Sequence, residues 1–210
     1  MLSALARDIT STVVRASWFA IGLGLVFEGL QVAAVSLGGG ELPAFAAVLA
    51  DSMQKVSWSY LVCVSLAIGT SATRASPGVV GVLGLLAAPL AFVVARVAHK
   101  TAGQVLSIVV PSGGPSPWLL AAIKAAEYFV LGWLITRLVR RREPRLAAFA
   151  ATGLAIGVVF GGAMLMLMNN AAPDGLPTPI LLARGVNEIL FPVGCSCLLW
   201  VTGVLAARAR

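Results

Sequence analysis

Residues 78–98 read GVVGVLGLLAAPLAFVVARVA, and this stretch decides the class of the fold. Its only charge is Arg96, close to its end. A bilayer core of about 30 Å takes about 20 apolar residues of helix at 1.5 Å each. Lipid offers no partner to an unpaired N–H or C=O, so a spanning segment must be helical. The stretch therefore predicts a transmembrane helix.

Five further stretches carry the same reading on either side of it. They cover about 16–37, 55–72, 117–139, 146–168 and 182–206. The whole 210-residue chain agrees: 59% of residues are hydrophobic, 11% are charged, and the mean hydropathy is +0.96. Soluble domains carry about a quarter charged residues, and disordered chains need low hydrophobicity with high charge. No alternating pattern of a β-barrel competes. The expected fold is all-α: a polytopic transmembrane helical bundle of six spans, forming one integral membrane domain over 1–210.

The cations set the expected orientation. Arg137, Arg140, Arg141, Arg142 and Arg145 lie between the fourth and fifth spans, and basic loops stay on the cytoplasmic side. Alternation then places both termini inside, in agreement with Arg7, Arg15, Arg208 and Arg210, and Arg74 falls on the same side. That side carries a net +8 and the rest of the chain −1, so the overall +7 is an inner-face charge. It points to anionic lipid at the inner face, not to nucleic acid. The expected location is a bacterial-type plasma (inner) membrane. The first span is too long for the apolar region of a cleaved signal peptide.

The expected outer connections, 38–54, 99–116 and 169–181, are long, and the inner ones are short. Residues 41–54 are expected to extend the second helix outward, and 102–110 to form an interfacial or re-entrant piece. The chain therefore reads as three helical hairpins. Pro115-Ser116-Pro117-Trp118-Leu119-Leu120-Ala121 aligns with Pro177-Thr178-Pro179-Ile180-Leu181-Leu182-Ala183, and Phe129 and Gly132 align with Phe191 and Gly194. A fainter copy begins at Leu49-Ala50. This pattern raises a threefold parallel pseudo-repeat. The competing reading is that Pro in a helix's first turn is a common start signal.

Polar residues within the spans carry the functional information. Glu28 lies near mid-membrane with Gln31 one turn on, and a charge there costs roughly 2.5–3.5 kcal/mol on insertion scales. Lys124 and Glu127 share a face of the fourth helix beside Tyr128. Arg184, Asn187 and Glu188 follow one another on the sixth, and Asp51 and Lys55 open the second. By depth, Glu28 is mid-membrane and the others belong to the outer half, and together they are expected to form one polar cluster open to the outer side. The pathway residues for a solute, ion or proton are thus Glu28, Gln31, Lys124, Glu127, Arg184, Asn187 and Glu188. The structural alternative is that these groups lock helices together, with Lys55 and Arg184 snorkelling to the interface. Glu28 has no such escape.

Pro192 and Gly194 form a candidate hinge directly after the polar turn of the sixth helix. Gly157, Gly161 and Gly162 on the fifth helix, and Gly78, Gly81 and Gly84 on the third, offer close approach. They are the expected faces of a homo-oligomer. Met164, Met166 and Met168 alternate and read as packing residues. Cys63, Cys195 and Cys197 read the same way, since Cys-x-Cys on one helix turns its sulfurs apart.

Other chemistry is missing. A single histidine, His99, cannot build a His-based metal or haem site. No nucleophile elbow, Walker A motif or dinucleotide fingerprint is present. No metal and no cofactor is expected, and an enzyme ranks behind two other classes. The first is a small channel or transporter for an ion or solute. The second is a non-transporting membrane subunit or assembly factor, docked through its arginine loop to partner subunits. No motif matches a known family closely enough to transfer residues.

Overall fold

The computed structural model describes residues 2–71, 76–108, 114–143 and 145–208, with side chains described within 10–205. Arg74 and Arg210 lie outside the described residues, and only the backbone of Arg7 and Arg208 is described. The described residues form six helices and no strand. They are α1 (Leu2–Leu37), α2 (Phe45–Ser71), α3 (Pro77–Val105), α4 (Pro117–Arg140), α5 (Leu146–Ala171) and α6 (Thr178–Arg208). Helix α5 is interrupted by a π-helical turn at Gly157–Gly161.

Five of these helices are long and apolar enough to cross a membrane, as an integral membrane protein requires: Thr10–Leu37, Pro77–Val105, Pro117–Arg140, Leu146–Ala171 and Thr178–Leu205. Helix α2 is not among the five. It begins ten residues before the predicted 55, taking in Asp51, Gln54 and Lys55, which dilute its apolar character. It also packs against α1, α3 and α6, so its polar side chains have protein rather than lipid beside them.

Several boundaries differ from the expected ones. Helix α3 runs on to Val105 and so absorbs His99, Lys100 and the first four residues of the apolar segment 102–110. Residues 102–105 complete that helix, and residues 109 and 110 lie outside the described residues. The N-terminal extension of α2 through residues 45–54 follows the sequence expectation. Helices α1, α3 and α4 end alike, with paired bonds back into the last turn, such as Ile108 N–H to Gly103 O at 2.8 Å and Glu143 N–H to Leu138 O at 3.1 Å. The reversing residue has positive φ in each: Gly39 at 77°, Ser107 at 55° and Arg142 at 54°. Only the first of these stops is advertised by glycine.

Consecutive helices run in opposite directions, and glycines set several of their crossings. An added Cβ on Gly84 would lie 2.2 Å from the Tyr128 carbonyl, and one on Gly24 would lie 2.8 Å from Val56 Cα. Gly153, Gly157 and Gly161 of α5 press on Pro192, Ile189 and Glu188 of α6. Gly81 and Gly84 of α3 and Gly153, Gly157 and Gly161 of α5 are thus covered within the chain, while Gly78 and Gly162 meet no other helix. Ser59 Oγ donates to Ala20 O at 2.6 Å across the α1–α2 crossing, beneath the core of Val62, Leu66, Tyr128, Leu131 and Ile135. The termini Leu37, Phe45, Val105, Pro117, Ala171 and Thr178 gather at one end of the molecule. The arginine loop lies at the other.

Candidate functional site: two buried ionic clusters

The helix directions bring every predicted intramembrane charge toward the same end. Glu28 stands nine residues from the end of α1, Lys124 seven from the start of α4, and Glu188 ten from the start of α6. At 1.5 Å per residue these depths are about 10–15 Å. The common level matches the sequence reading. The facing, which depth alone left open, divides the residues into two sets.

The first set joins α1, α2 and α3. Lys55 pairs with Glu28, and His99 Nε2 lies 3.1 Å from Asp51 Oδ1. Glu28 is buried, whereas Asp51 keeps 42% of its side chain exposed, so this set opens toward the surface. Lys55, read from sequence as an interface cation, is here the partner of a buried acid. His99 and Asp51 both act electrostatically on Glu28, which makes the four a single group.

The second set is deeper and joins α4 to α6. Lys124 Nζ donates to Glu127 Oε2 at 2.8 Å and forms an ion pair with Glu188 Oε2 at 2.6 Å. Asn187 Nδ2 donates to Glu188 Oε1 at 3.1 Å. All three charged residues are buried, and Glu127 is fully so. Glu127 Oε1 has no hydrogen-bond partner among the described residues. Two carboxylates therefore share one ammonium, in surroundings where an unpaired charge is costly. The Tyr128 hydroxyl is buried without a hydrogen bond of normal geometry, although Trp58 is near enough to act on it. The Trp58 and Tyr128 rings meet edge to face, with centroids 5.6 Å apart. They stand one helical step from Lys55 and one residue from Glu127, between the two sets.

The backbone around Glu188 is irregular on both sides. Pro192 has no N–H to return to the Glu188 carbonyl, so the helical bond there is missing. Opposite, the π turn of α5 lays Gly157 and Gly161 directly on the Ile189 and Glu188 carbonyls. π turns inside α-helices often accompany functional sites. Pro192 is fully buried, and Gly194 sits against Leu23 and Phe27 of α1. The predicted hinge is thus a crowded contact of three helices.

The remaining predicted pathway residues lie elsewhere. Gln31 Nε2 donates to Ala183 O at 3.1 Å and ties α1 to α6. Arg184 is exposed, with Nη1 3.1 Å from Met168 Sδ, so it joins neither set. Met164 is buried and Met166 exposed, as their alternation implies.

Sequence reasoning missed two features of this region. The Asp51–His99 pair needs α3 to extend past residue 98. Cys63 of α2 and Cys195 of α6 meet with sulfurs 3.1 Å apart, both free and fully buried. Cys197 points away, as the Cys-x-Cys spacing implies. Among the described residues, no cluster of His, Cys, Asp and Glu is arranged to hold a metal.

The chain matches no protein-family model, no curated protein and no solved structure. Its function must therefore be argued from its own residues.

Proposed function

We propose that the protein is a small integral membrane channel or transporter for an ion or small solute, with its polar site in the outer half of the bilayer. One observation carries this reading: Lys124, Glu127 and Glu188 are buried together with a carboxylate oxygen left unpartnered. An arrangement serving only to lock two helices would be expected to satisfy both oxygens, because each buried unpaired group costs about 1–3 kcal/mol. The irregular backbone of α5 and α6 at the same level supports the reading, as does the second ionic set reaching from Glu28 toward the surface.

In this reading all six helices cross the bilayer, including α2, whose 27 residues span about 40 Å at 1.5 Å each. Both termini and the arginine loop face the cytoplasm of a bacterial-type cell. The exposed aromatics support that placement. Trp118 and Phe45 stand exposed at the loop-rich end, and Trp18 stands exposed on α1, 19 residues before Leu37. That separation is about 28 Å of helix, close to the thickness of a bilayer core. Trp favours both interfaces. The openings of α4 and α6 at Pro117 and Thr178 are compatible with the proposed repeat.

A second reading, a non-transporting subunit, has one observation in its favour. Arg137, Arg140, Arg141, Arg142 and Arg145 are all exposed, a basic surface that fits anionic lipid or an acidic cytoplasmic partner. The test is isolation of the native particle in nanodiscs, followed by reconstitution and flux assays with H⁺, Na⁺ and K⁺ gradients. The transport reading expects a particle of this chain alone, flux by the wild type, and a loss of at least about tenfold in Glu28→Gln. A stoichiometric complex without flux, whose partner is lost when Arg140, Arg141 and Arg142 become Gln, would establish the second reading instead.

A further inference from the structure

We propose that the Lys124–Glu127–Glu188 triad binds one proton inside the membrane, shared between its two carboxyl groups, as the cargo or coupling ion of the transport path. The proposal rests on the transport reading and names what the site holds. Its first support is a charge count. Two carboxylates and one ammonium leave one negative charge in a buried site. Its second is geometric and independent of the count: Glu127 Oε1 is fully buried and has no donor. One added proton neutralises the site, and an oxygen with no donor is a place to hold it.

Among the described residues, the surrounding helices place no further cation against the triad. Helix α4 contributes Lys124 and Tyr128 beside Glu127, and α6 contributes Glu188, Asn187 and Cys195. Helix α2 contributes Trp58 and Cys63, neither of them a cation. Helix α5 packs here through glycines and has no ionisable side chain between 146 and 168. Helix α3 has none between 77 and 95, and Glu28 of α1 is already paired with Lys55. A metal cation is a poorer fit. Hard cations want a cage of about six oxygens, whereas an ammonium already stands between these two carboxylates.

The reaction is simple proton binding. A carboxylate takes up H⁺ from water and becomes a neutral carboxylic acid. Release reverses the step. Lys124 remains the fixed counter-charge.

The test is infrared difference spectroscopy on the full-length protein in lipid near neutral pH. The expected result is a carbonyl stretch of a buried protonated carboxylic acid that shifts in D₂O. It should also shift when the unmutated protein is grown on isotope-labelled glutamate, which keeps the test independent of any variant that folds poorly. The band should vanish in Glu127→Gln or Glu188→Gln and persist in Glu143→Gln, which alters the arginine loop. Absence of the band from the wild type would overturn the proposal, as would its survival in both triad variants. A band that behaves as expected in a protein without flux would uphold proton binding and reject transport.

Discussion

Gly157→Ala is expected to destabilise the protein by about 3 kcal/mol, the upper part of the usual range for overpacking. The new Cβ would lie 1.9 Å from the Ile189 carbonyl oxygen and 2.8 Å from its carbon. Both are backbone atoms, so no side chain can swing aside. Relief requires α5 and α6 to separate at the π turn. Gly162→Ala, five residues on, places its Cβ in open space and should be neutral or slightly stabilising, because alanine suits a helix better than glycine. Denaturant or thermal unfolding in one detergent compares the two directly. Equal stability of the pair would mean that α5 and α6 do not approach as closely as described.

Lys124→Met should be comparably severe, at about 3–5 kcal/mol, the usual cost of removing one partner from a buried ion pair. The methionine fills most of the lysine's volume, so the loss is electrostatic. Two buried carboxylates would remain with no cation near them. Adding Glu127→Gln and Glu188→Gln to Lys124→Met should recover much of the loss, since no charge then remains in the cluster. A triple variant no more stable than the single one would show that the lysine stem, and not its charge, holds α4 to α6.

These two sites also show how much the chain disclosed. Runs such as 78–98 made the helices legible, and helix direction placed Glu28, Lys124, Glu127 and Glu188 at one level. What depth could not supply was rotation about each helix axis, which decided that Lys55 meets Glu28 while Arg184 turns outward. Rotation also brought Cys63 to Cys195 and set the glycines of α5 on α6. A glycine pattern announces close approach, but not whether the neighbour belongs to the same chain. Helix ends were legible at Gly39 and hidden at Ser107 and Arg142, where non-glycine residues take the left-handed conformation. The extension of α2 over 45–54 was foreseen, but the extent of α3 was underestimated because His99 and Lys100 resemble loop residues. His99 is helical instead and pairs with Asp51 of α2.

The central claim is that the buried triad works on a solute rather than merely joining two helices. The most direct measurement is flux in sealed proteoliposomes for the wild type and Glu127→Gln side by side, with the thermal midpoint of each recorded in the same lipid. The substitution keeps the shape of the side chain and removes its charge. The account predicts flux by the wild type and a loss of at least about tenfold in the variant, with the midpoint little changed. Equal flux from the two proteins would contradict it and leave the triad as a fastening between α4 and α6.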